Sequence, residues 1–182
     1  AASGQVDLLG EARWVVPVEP NGIVLDHHAV ALSGEFIVEL LPINSAREKY
    51  AQATRIDLGE HALIPGMINA HTHNPMTLMR GLADDLPLMT WLNEHIWPAE
   101  AKHVSGEFVY DGTLIACAEM IQGGITCFND MDMFPGSAAQ AVLESGMRAG
   151  SGFNGLGVTT SSATTAKGKL RKALGAPPRM RN

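Results

Sequence analysis

The chain has 182 residues, of which 46% are hydrophobic and 18% charged, enough apolar material to fill the core of one domain with an appendage. A net charge of −6 excludes a general nucleic-acid binder, and no apolar run reaches the length of a membrane span. The first residues lack a basic-plus-apolar signal, and the two cysteines, Cys117 and Cys127, make no disulfide framework, so a reducing, cytoplasmic setting is expected.

Residues 5 to about 60 read as short strands in a small, largely antiparallel β portion. The expected strands are Arg13–Val18, Ile23–Leu25, His28–Ser33 and Phe36–Leu41, with turn chemistry at Glu19-Pro20-Asn21-Gly22 and Ser33-Gly34. A helix is expected over Ser45–Gln52 and a strand over Thr54–Leu58. The texture then changes at Leu63-Ile64-Pro65-Gly66-Met67-Ile68-Asn69-Ala70-His71-Thr72-His73, an apolar strand with a polar end. Pro75 suits a first helical turn, and Pro87 opens a helix over Leu88–Trp97 that Pro98 is expected to close.

Ser105 is the expected N-cap of a further helix, with Glu107 favourable to its dipole. Tyr110, Leu114, Cys117 and Ile121 would form its apolar face. Gly123-Gly124 end it, Ile125–Phe128 form a second buried strand, and Ser137–Ser145 form a helix stopped by Gly146. Met147-Arg148-Ala149 reads as the opening of a third strand that is not completed. Strand, helices, strand, helix, strand is the rhythm of parallel βα units.

The charge is unevenly placed. All 19 acidic residues lie within residues 1–144, whereas residues 145–182 hold seven basic residues and no acidic one. The Gly/Ser/Thr-rich stretch from 151 to 182 cannot offset its ordering entropy by burying apolar surface. It reads as a flexible, disordered basic tail or, given the abrupt switch, as the product of a shifted reading frame or premature junction.

His71-Thr72-His73 is the sharpest chemical feature. Residues i and i+2 of a strand point the same way, so both imidazoles face one space. At the C-terminal end of a first parallel strand that space would be the mouth of a (β/α)8 barrel. Neutral imidazole suits zinc, but a catalytic zinc normally takes three protein ligands and water. The same pair also reads as ordinary polar strand-end residues.

The stretch HALIPGMINAHTHNPMTLMRGLADDLPLMTWLNEHIWPAEA (residues 61–101), continued by EMIQGGITCFNDM, resembles the amidohydrolase superfamily. Within it, the likeness is to the methylthioadenosine/S-adenosylhomocysteine deaminase group, neighbours of the chlorotriazine hydrolases. The resemblance covers about 150 residues, reaching back over ARWVVPVEP and fading near Gly150. It implies an α/β protein with a β-sandwich portion over residues 1–60 and the first part of a metal-dependent (β/α)8 barrel over residues 61–150, with the tail as residues 151–182. It also implies that His71 and His73 are ligands to one zinc ion, and that Glu100 binds the ribose hydroxyls of a purine nucleoside. A carboxylate can accept hydrogen bonds from two vicinal hydroxyls. Trp91 would line the apolar side of the pocket, or else pack in the core. Zinc-activated water would attack the aminated purine carbon. Related enzymes are often oligomeric, which implies a homo-oligomer.

Other candidates carry less. Asp84-Asp85 read as turn-solvating residues. Asn129-Asp130-Met131-Asp132 would edge the barrel mouth, although relatives commonly have an aromatic residue where Asp132 stands. His27, His28, His61, His95 and His103 read as surface or turn residues. The family also completes its site with later histidines, a His-x-x-Glu arrangement and a final aspartate. None is found, since the last histidine is His103, the last aspartate Asp132 and the last glutamate Glu144. Two readings follow: a portion of a zinc-dependent nucleoside deaminase or triazine-type hydrolase that is inactive alone, and a non-catalytic fragment needing a partner over its sheet edge.

Overall fold

The computed structural model describes residues 6–152, so the expected basic tail lies outside the described residues apart from its first two positions. The chain divides into two compact units at Pro65/Gly66. No helix among the described residues is long and apolar enough to cross a membrane.

In the first unit, strands β1 (Leu8–Val15), β2 (Leu25–Ser33), β3 (Phe36–Pro42) and β4 (Thr54–Leu63) form one mixed sheet in the order β3-β2-β1-β4. The β1–β2 and β2–β3 pairs are antiparallel, and β1–β4 is parallel. Side chains alternate across the sheet. Leu9, Ala29, Ala31 and Leu41 gather with Ala46 of helix α1 (Ile43–Lys49), while Ala12, Val15 and Val30 form a separate cluster with Leu25, Leu40, Leu58 and Leu63.

Several strand limits differ from the sequence reading, for physical reasons. The strand expected at Arg13–Val18 begins at Leu8 and ends at Val15. Glu11 interrupts its apolar run, yet the carboxylate is buried because Arg47 of α1 meets it with two hydrogen bonds, Nε–Oε1 at 3.0 Å and Nη2–Oε2 at 2.6 Å. The pieces expected at Ile23–Leu25 and His28–Ser33 are one strand, with Ile23 and Val24 outside it. The strand expected at Thr54–Leu58 runs on to Leu63, because β4 keeps pairing with β1 as far as Val15.

In the second unit, β5 (Met67–Thr72), β6 (Ile125–Asp130) and β7 (Arg148–Ser151) form a parallel sheet in chain order. The third strand is therefore formed, correcting the expectation that it is not completed. Between β5 and β6 the chain passes through a 3₁₀ helix (Asn74–Met79), α2 (Leu88–Thr90), a π-helical turn (Trp91–Ile96), α3 (Trp97–His103) and α4 (Gly106–Gln122). Helix α5 (Pro135–Ser145) joins β6 to β7.

Pro98 does not close the helix before it. The helical path continues to His103 because the turn ahead of the proline is widened, with the Trp97 N–H donating to Leu92 O. That five-residue hydrogen bond shifts the ladder where an ordinary α-helix would meet the missing proline N–H. Ser105 caps α4 as expected, its Oγ accepting from Phe108 N at 3.1 Å. The buried stripe of α4 is Val109, Gly112, Thr113, Ala116, Cys117 and Met120, turned about one residue from the expected face, and Ile121 is exposed. Two small residues explain the turn: Gly112 and Ala116 let the helix approach its neighbours closely, which large apolar side chains would prevent. Ala116, Cys117 and Met120 pack with Phe128 and Met147, with Ile125 and Val142 at the margin.

Candidate functional site

The site is built at the C-terminal ends of β5 and β6. Gly66 allows the approach into β5: a Cβ there would lie 2.3 Å from both Thr126 Cγ2 and Oγ1. The ladder then sets Thr72 opposite Asp130, so the residues just past each strand end meet. His71 and His73 present their rings edge to face, with centroids 5.0 Å apart.

The turn after His73 is locked from behind. Asn74 is buried, and its N–H donates to Asp130 Oδ1 at 3.3 Å, while Thr72 Oγ1 donates to Asn74 Oδ1 at 3.0 Å. Asp130 Oδ1 also accepts from Met131 N at 3.0 Å. Pro75 packs so closely on α4 that a Cβ at Gly112 would lie 2.8 Å from its Cα. The backbone that carries the two imidazoles is thus held through β5 on one side and a crowded 3₁₀ turn on the other.

Three carboxylates act electrostatically on His73. Asp132 Oδ2 lies 3.7 Å from His73 Nδ1, an ionic contact rather than a hydrogen bond. The Asp132 carboxylate is the main cause that raises the His73 imidazole above its ordinary value; burial opposes the rise, and Asp130 and Glu100 add to it. Burial pushes the Asp130 carboxyl up to about 6, reinforced by the negative charge of Asp132. Burial likewise raises Glu100, with Asp132 adding to the shift and His73 opposing it. Glu100, on α3, therefore shares an electrostatic environment with His73 although it is 27 positions away in sequence.

Among the described residues, Trp91 makes no hydrogen bond or ring contact with this cluster. It is partly buried at the start of the π-helical turn, and its Nε1 reaches Leu82 O at 3.4 Å. Asp84 and Asp85 are exposed, in keeping with a solvated turn. Sequence reasoning left Asp132 open and did not single out Asn74. The available signal was register: two parallel strands ending together bring His73, Asn74, Asp130 and Asp132 to one corner.

The pair fits part of a metal site. Two imidazole nitrogens each about 2.0–2.1 Å from a tetrahedral zinc put their ring centroids about 5 Å apart, the separation that His71 and His73 show. Among the described residues, however, no three His, Cys, Asp or Glu side chains form a group that could hold a metal ion. Residues 145–182 contain none of these four residue types. This chain therefore offers two corners of a donor set and lacks a third in suitable geometry.

Residues 62–176 match the amidohydrolase family. A 5-methylthioadenosine/S-adenosylhomocysteine deaminase of Saccharophagus degradans is 44% identical over 168 residues, covering 92% of this chain and 38% of the relative. The crystal structure of an adenosine deaminase from Xanthomonas campestris, with bound zinc, superposes with a TM-score of 0.85 at 46% identity, covering 93% of this chain and 38% of that one. An atrazine chlorohydrolase from Arthrobacter aurescens, complexed with zinc, has a TM-score of 0.81 at 17% identity over 94% of this chain and 44% of that one, a likeness of fold alone. The chain thus spans well under half the length of the proteins it matches.

Proposed function

Because the chain belongs to the amidohydrolase family, we propose that it carries the first metal-binding and sugar-binding corner of a hydrolytic deaminase acting on a purine nucleoside. The nucleoside would be of the methylthioadenosine, S-adenosylhomocysteine or adenosine type, as named for the relatives. The observation that carries this reading is the 5.0 Å imidazole pair at a parallel strand end, with Glu100 in the same electrostatic cluster.

In this reading β5, β6 and β7 are the first strands of a (β/α)8 barrel, whose chemistry sits at the C-terminal strand ends. The apolar cluster around Ala12, Val15 and Val30, opposite the face that α1 covers, supports a β-sandwich, since a second sheet would bury it. His71 and His73 would hold a divalent metal, zinc by analogy with the relatives, together with donors from outside these 182 residues. When bound, such a metal supplies Lewis acidity toward water and the substrate. The residues present do the rest of what this corner can do. Asp130 and Asn74 hold the turn that aims the imidazoles. Glu100, once ionised, accepts hydrogen bonds from the ribose hydroxyls. Trp91 supports the neighbouring turn through the Leu82 carbonyl.

By itself the chain would not turn over, because two histidines bind metal weakly and the groups that move protons as ammonia leaves are not found in it. Zinc titration of the purified chain, with ammonia release from adenosine-type nucleosides assayed in parallel, tests both halves. Weak zinc binding that His71→Ala and His73→Ala each abolish, with no ammonia released, is the expected result. Zinc binding indifferent to both substitutions overturns the metal reading, and turnover by the purified chain overturns its inactivity. In the full-length protein, Glu100→Gln should raise KM for nucleosides and spare free bases; equal losses on both refute the ribose role.

A further inference from the structure

The Asp132 carboxylate has one oxygen in use and one to spare. Its Oδ1 accepts from Met133 N at 3.0 Å, whereas Oδ2 is buried and has no hydrogen-bond partner. A buried carboxylate oxygen without a donor is costly, and native structures rarely leave one. The donor placed opposite it is the His73 ring, with Nδ1 at 3.7 Å. We propose that Asp132 is a positioning residue for His73, its Oδ2 accepting the Nδ1–H and so leaving the imidazole lone pair on Nε2.

The geometry favours this proton placement over its alternative. Were Nε2 protonated instead, the Nδ1 lone pair would lie opposite a buried carboxylate oxygen, two electron-rich atoms facing each other. With the proton on Nδ1 the same approach is attractive. Closing the gap to a charge-assisted length of about 2.8 Å takes a movement of about 0.9 Å. The His73 side chain is 39% exposed, so its ring has room to rotate, whereas that of Asp132 is only 11% exposed and is held by Met133 N. Among the described residues no carboxylate pairs with the His71 ring, so the two imidazoles are inequivalent. A histidine that binds a metal through one nitrogen usually donates the other N–H to a carboxylate, carbonyl or water, which fixes tautomer and orientation. That consequence rests on the metal reading above, whereas the tautomer itself does not.

The test is ¹⁵N nuclear magnetic resonance of the full chain at a pH where the imidazoles are neutral, with His71 and His73 assigned from their Asn variants. His73 should be the Nδ1–H tautomer in the native sequence. Asp132→Ala should convert it to Nε2–H, and Asp132→Asn should keep Nδ1–H, because the amide oxygen still accepts. A native His73 in the Nε2–H form overturns the proposal, as does an Asp132→Ala chain that keeps Nδ1–H. Should the alanine variant fail to fold, the native tautomer alone decides. Titration with Zn²⁺ separates the two ideas. Asp132→Ala should weaken zinc binding by about 10- to 100-fold, whereas Zn²⁺ that leaves both histidine resonances unmoved removes the metal reading and leaves the tautomer result standing.

Discussion

Replacing Gly112 with alanine should destabilise the second unit even though alanine is the better helix former. In an exposed helix interior the exchange gains about 1 kcal/mol. Here the new Cβ would lie 2.8 Å from Pro75 Cα, 2.8 Å from Pro75 O and 3.2 Å from Pro75 C. All three are backbone atoms, so no rotamer change relieves the contact. Restoring an ordinary separation of about 3.4 Å requires α4 and the 3₁₀ helix to part by about 0.6 Å, and overpacking of this kind costs about 1–3 kcal/mol. With three backbone contacts at once the upper half of that range applies, leaving a net loss of about 1–2 kcal/mol after the helix gain. Gly136→Ala in α5 is the control, because nothing lies within 4 Å of its Cβ position. Urea unfolding followed by circular dichroism should move the two midpoints in opposite directions. A Gly112→Ala chain as stable as the native one, beside a stabilised Gly136→Ala chain, would refute the close approach. Because Pro75 is two residues from His73, the same variant should also bind zinc less tightly.

Gly66→Ala should be destabilising by overpacking against Thr126, and Thr126→Gly should restore most of the loss; a thermal-unfolding double-mutant cycle with no coupling would contradict the 2.3 Å approach. Glu11→Gln should cost about 2 kcal/mol by weakening the two hydrogen bonds from Arg47. Arg47 holds the Glu11 carboxyl below its ordinary value of 4.5, so this stability is present above that pH and lost as pH falls through the lower folded value; the variant should show a flatter acid limb in pH-dependent melts. Asp130 has the opposite sign. Its carboxyl is raised from 3.8 to about 6, so stability is lost as pH rises across that interval. Asp130→Asn should remove that loss, worth about 3 kcal/mol; an unchanged pH dependence between 4 and 7 would show that Asp130 is not the group responsible.

The features legible in the sequence were those carried by local chemistry. Ser105 announced the start of α4, Gly123 its end, and the apolar run before His71 a strand. What was not legible depended on partners far along the chain. The strand expected from Arg13 starts earlier, across Glu11, because Arg47, 36 residues later, meets that carboxylate. The buried face of α4 lies about one residue from the expected one because large apolar side chains suggest burial, whereas the close approach to Pro75 is made at Gly112. Pro98 reads as a stop unless the widened turn before it is foreseen, and a π-helical turn has no simple residue signature. In the candidate site the paired histidines stood out by spacing alone. Asp132 and Asn74 did not, because their meaning comes from β6 lying in register beside β5.

That register has a consequence in time. The hydrogen bond between Asn74 N and Asp130 Oδ1 spans 56 residues, and β5 has no strand partner among the described residues until β6 exists. At a synthesis rate of about 5–20 residues per second, the histidine strand waits about 3–11 s on the ribosome before its neighbour emerges. During that interval Met67 and Ile68, exposed even in the folded unit, stand beside unpaired backbone. The growing chain thus passes through a stage in which its histidine strand exposes apolar side chains beside unpaired backbone, so slower translation between the two strands should lower the yield of folded protein more than an equal delay after Asp130.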